Sequence, residues 1–110
     1  MNLDELAKSI SETKLKENLL RWVNEWKNDE EDIDQLACMI SKWQGKVWFE
    51  DSIESIQFHT QFQEFKAIAI DRIDGLTVNE RLYLFGLFEQ WDRSNEEERL
   101  RIRCKIKANI

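Results

Sequence analysis

A chain of 110 residues and 13.3 kDa has the length of one domain, enough to bury a core without disulfide or metal staples. With 42% hydrophobic residues, five Trp and six Phe it is too apolar and aromatic for a disordered segment. A net charge of −6 weighs against a polyanionic partner, and no proline with only three glycines weighs against a sandwich or barrel, whose many turns need both.

The first segment, Met1 to Ile10, contains Asp4 and Glu5 and no long apolar run, so no secretory signal is expected there. Asn2 is placed to cap a short helix carrying Leu3, Leu6 and Ile10. Leu15, Leu19, Trp22, Val23 and Trp26 recur at three and four residues and predict a second helix, ended by Asn28. A third should begin within Asp29–Asp32, with Ile33, Leu36, Ala37, Ile40 and Trp43 as its apolar face and Gly45 as its left-handed stop. Trp48 and Phe49 fall in a connector, and Asp51 or Ser52 is available to cap the next segment.

Residues 53–62 carry two patterns. Ile53 and Ile56 have helical spacing, whereas Ile56, Phe58, Thr60 and Phe62 alternate as on a strand. Phe65, Ala69 and Ile73 continue as a helix, with Gly75 as the expected stop. Thr77 and Glu80 form a capping box opening one helix that carries Val78, Leu82, Phe85, Phe88 and Trp91. The last segment has a second capping-box pattern at Ser94 and Glu97. Against it, Leu100, Ile102, Cys104 and Ile106 alternate with five basic residues as on an amphipathic strand; a helix is favoured, with that strand as the alternative. The reading is all-α: one domain over 1–110, a bundle of about five or six short helices. The alternative is α+β, with short strands near 53–60 and 99–107.

Charge is unevenly distributed. Residues 1–98 hold 22 acids and 11 bases, and residues 99–110 hold five bases and no acid. Five acids stand among the six residues from 29 to 34: Asp29, Glu30, Glu31, Asp32 and Asp34. Acids at a helix start interact well with the helix dipole, and clustered like charge also steers encounter with a basic surface. The basic tail is expected to pair with the acidic body or to support self-association, and nucleic acid is an unlikely partner beside so much negative charge.

Catalytic equipment is sparse. His59 is the single histidine, no glycine-rich phosphate loop exists, and Cys38 and Cys104 lack metal or redox spacing. They are expected to be free buried thiols in a reducing cytoplasm. No enzyme, metal or cofactor is expected. No segment approaches the roughly 20 apolar residues of a membrane span.

In its acidic stretch Asp29–Asp34 and its Trp48–Phe49 pair, the chain resembles small acidic immunity proteins of bacterial toxin systems. That resemblance implies a cytoplasmic inhibitor that covers the active site or substrate groove of a basic toxin or nuclease domain. The contact residues would be Asp29, Glu30, Glu31, Asp32 and Asp34, with Trp48, Phe49 and Tyr83 as aromatic contacts. The alternatives are a helical adaptor that homodimerises through its apolar C-terminal segment and, third, a nucleic-acid-binding regulator.

Overall fold

In a computed structural model, which describes residues 1–108, the chain is all-α. Seven helices succeed one another among the described residues: α1 Leu3–Lys8, α2 Thr13–Asn28, α3 Ile33–Lys46, α4 Ser52–Ala69, α5 Val78–Leu84, α6 Phe88–Arg93 and α7 Glu96–Lys105. A single 3-10 turn, Ile73–Gly75, precedes α5. Both segments with strand-like alternation are helical, because the alternation competes with a helical stripe that reaches the core. In α4 that stripe is Phe58, Phe62, Phe65 and Ala69, all buried. In α7 it is Ile102 and Lys105, with Ile106 just beyond the helix.

Local chemistry explains most helix starts. Asn2 and Glu5 cap each other's backbone at α1, as Asp32 and Gln35 do at α3 and Thr77 and Glu80 at α5. Asp51 accepts from the Ile53 N–H at α4. The last helix starts one residue later than Ser94 would set it. Asn95 takes the cap position and accepts from Glu98 N–H, while Ser94 turns its hydroxyl back to the Gln90 carbonyl.

Helix ends depart further from expectation. Gly45 lies inside α3, which runs on to Lys46, and α4 stops at Ala69, well before Gly75. Among the glycines only Gly86 has a positive φ, 65°. There Leu87 N–H reaches the Leu82 carbonyl and Gly86 N–H reaches that of Tyr83, the paired bonds of a Schellman stop. This stop divides the single helix expected from Val78 to Trp91 into α5 and α6. A Cβ on Gly86 would lie 2.0 Å from Asp4 Oδ2, so the residue also admits the Asp4–Lys27 ion pair, 2.8 Å long, that ties α1 to α2. A second Schellman stop ends α7, where Lys107 takes the left-handed position at φ 57°.

Packing joins α1 to α2 and α4, α2 to α3, and α6 to α5 and α7. The core is continuous and largely aromatic. Trp43, Phe49, Phe58 and Phe62 lie in contact at one end, and Trp26, Phe85 and Phe65 at the other. Such pairs each contribute about 0.5–1.5 kcal/mol beyond the area they bury. The buried indoles keep their N–H groups satisfied: Trp26 donates to the Asp32 carbonyl and Trp43 to Asn18 Oδ1. Cys38 and Cys104 are free, but both are exposed rather than buried, because each falls on the outer face of its helix. No helix among the described residues is long and apolar enough to cross a membrane.

Candidate functional site

The acidic run forms the loop between α2 and α3 and the first turn of α3, and much of it is engaged within the chain. Asp29 Oδ1 accepts from Glu31 N–H and from Lys105 Nζ, the latter at 3.0 Å. Asp32 caps α3 through Asp34 N–H and Gln35 N–H. Asp34 pairs with Lys107. Within the run, the exposed side chains of Glu30 and Glu31 have no ion pair among the described residues.

The opposing surface is the basic end of α7. Lys105 is 2% exposed, and its ammonium donates to the Trp26 and Glu31 carbonyls as well as to Asp29. It also lies 4.3 Å from the Trp26 ring centroid. All three of its protons are satisfied. Burial pushes its pKa below the ordinary lysine value, opposed by the hydrogen bond to Asp29. Arg101 donates to the Lys27 and Asp29 carbonyls rather than pairing with Glu97. The buried Arg81 holds the far end, donating to the Ile106 and Lys107 carbonyls. The bases at 101, 105 and 107 are thus counter-charges to the loop at 27–34. Ile102 and Ile106 are fully buried in the core, whereas Leu100 is exposed, so the apolar C-terminal segment is divided between core and surface.

Trp48 and Phe49 have opposite fates. The connector is extended at Val47, so neighbouring side chains point to opposite sides. Phe49 turns inward, 8% exposed, edge-on to Trp43, and is a core residue rather than a surface contact. Trp48 turns outward and is 85% exposed. Its connector is firmly held: Glu12 Oε1 accepts from Glu50 N–H, Asp51 caps α4, and Glu54 accepts from both the backbone and the hydroxyl of Ser11. Just beyond it, Ile53 and Ile56 are 64% and 67% exposed. They stand on the first turns of α4, off the face that carries Phe58, Phe62 and Phe65. Sequence spacing marked them as helical without saying which face they occupy. Their phase, with Ile56 about 160° round the helix from Phe58, is the signal that would have separated them.

Tyr83 projects from α5, half-exposed, with its hydroxyl 3.4 Å from Glu5 Oε1. The candidate residues therefore do not form one cluster. The 14 residues of α3 separate the acidic run from Trp48 by roughly 20 Å, and Tyr83 lies beside α1. His59 is exposed, and among the described residues its ring hydrogen-bonds with the Gln44 amide alone.

Comparison with protein-family models, with curated proteins and with solved structures gave no match to this chain.

Proposed function

We propose that this protein is a non-enzymatic inhibitor of the immunity type, binding a basic protein such as a toxin or nuclease domain and blocking its active site or substrate groove. The observation that carries this reading is the outward Trp48, followed shortly in the chain by the exposed Ile53 and Ile56. Large apolar side chains left exposed on a well-held connector and at the start of the helix after it are a feature of binding surfaces, and Trp is prominent among interface hot spots. The chain that follows favours a basic partner: beyond Lys46, residues 47–65 hold Glu50, Asp51, Glu54 and Glu64 and no Lys or Arg. A partner presenting an apolar pocket rimmed by bases is complementary to such a surface. Glu30 and Glu31, at the far end of α3, add a negative field that acts on encounter without requiring contact.

The test is comparative capture from the native cell with wild type and a Trp48→Ala, Ile56→Ser variant, then reconstitution with the purified partner. The reading requires a basic partner retained by wild type and lost by the folded variant, whose own activity falls as a one-to-one complex forms. A partner held equally by both proteins, or one whose activity is untouched, would overturn it.

A further inference from the structure

A second surface, unrelated to Trp48, carries the opposite charge. Trp91 on α6 is half-buried, and two guanidiniums of α7 are gathered on its ring: Arg99 at 5.0 Å and Arg103 at 5.3 Å from the centroid. Arg99 donates through Nε to the Trp91 carbonyl, which fixes its approach. Among the described residues neither arginine has a carboxylate within ion-pair distance, although acids outnumber bases 22 to 16 in this chain. The three side chains line a groove of about 380 Å³ together with Glu96 and with Leu100, 59% exposed.

We propose that this groove is a binding site for a peptide segment that carries a carboxylate beside an apolar side chain. Arginine presents a planar fork of donors that suits a carboxylate, and stacking on an indole orients that fork at little further entropic cost. Two cations held against one ring repel each other, and an anion seated between them relieves that repulsion. Leu100 and the indole offer the apolar neighbour a surface. Glu96, together with Glu97 and Glu98 on the same first turn of α7, limits the site to an isolated carboxylate. A nucleic-acid strand needs successive phosphates neutralised along its length, and here it would meet those three acids instead. The site is independent of the inhibitor reading and is tested without reference to it.

The probe is acetyl-Leu-Glu-Leu-amide, with acetyl-Leu-Gln-Leu-amide as its uncharged match, titrated into the full chain. The readout is the indole N–H resonance of Trp91, identified with a Trp91→Phe variant. The charged peptide should shift this resonance and the Arg99 and Arg103 Nε–H signals at millimolar concentration, and bind about fivefold more tightly than its amide match. Arg103→Gln should remove that preference and Arg103→Lys should restore part of it. The Arg103 side chain makes no hydrogen bond of its own among the described residues, so the variant should keep the wild-type fold. Should it unfold, the two peptides on wild type still decide. Equal binding of the two peptides, no shift with either, or a tighter complex with oligothymidylate would each overturn the proposal.

Discussion

Lys105 and Lys107 lie two residues apart and both meet acids of the run from 29 to 34, yet their worth differs. Lys105 is sealed off with three acceptors, so its removal leaves two carbonyls and Asp29 without their donor. Lys107 and Asp34 stay largely in solvent, where such pairs contribute about 0–1 kcal/mol. Lys105→Met should therefore cost about 2 kcal/mol in denaturant unfolding, and Lys107→Met under about 1 kcal/mol. The pH dependence gives an independent check. Burial lowers the folded pKa of Lys105, so between that value and 10.5 the unfolded chain binds more protons than the folded one. Stability rises with pH across that window, and Lys105→Met should remove the rise. Sequence could not show this role. The alternation in 99–107 would set all five bases on one face only on a strand, whereas helical geometry places Lys105 next to Ile102 and Ile106 on the inner side.

At the scale of the element, the glycines mark how far local signals reach. Helix starts were legible because a cap and its partner are three residues apart and act without help from the rest of the fold. Stops were not. Three glycines offered three left-handed positions, and which one is used depends on where α5 must turn to bring Phe85 onto Trp26 and Phe65. Gly45→Ala, inside a helix with open space around its Cβ, should leave stability unchanged or raise it by up to about 1 kcal/mol. Gly86→Ala should cost about 2 kcal/mol, from a left-handed alanine and displacement of the Asp4 carboxylate. Thermal unfolding of the two variants reads both signs. Side-chain ties between elements respond to acid as well. Hydrogen bonds from the Ser11 hydroxyl and backbone lower the pKa of Glu54, so the tie is complete above the ordinary carboxyl value of 4.5 and is lost as pH falls through the lowered one. Glu54→Gln should flatten the acid limb of the stability profile below about pH 4.5.

Across the whole molecule, net charge reads as one acidic body, but the fold divides the acids into those answered internally and those left to solvent. Asp29, Asp32 and Asp34 hold the loop and the start of α3, while Glu30 and Glu31 project from it. Charge reversal can therefore separate structure from steering, which the run as a unit cannot. Asp29→Lys should lower stability by setting a second cation against Lys105. Glu30→Lys with Glu31→Lys should leave the unfolding midpoint nearly unchanged, because neither side chain has an ion-pair partner to lose among the described residues. If the inhibitor reading holds, that double variant should associate with the captured basic partner more slowly than wild type at low salt, and the difference should shrink as salt screens the field over about 10 Å at 0.1 M. Dissociation should be unaltered, since exposed charges act mainly on encounter. Trp48→Ala should do the reverse, leaving association nearly constant and speeding dissociation about tenfold or more, the loss expected of an anchor. Stopped-flow association at two salt concentrations, with dissociation by chase, distinguishes the variants. Equal association rates for wild type and the Glu30, Glu31 variant would confine the acidic run to helix capping and to pairing with α7, and would leave the Trp48 surface as the sole candidate for docking.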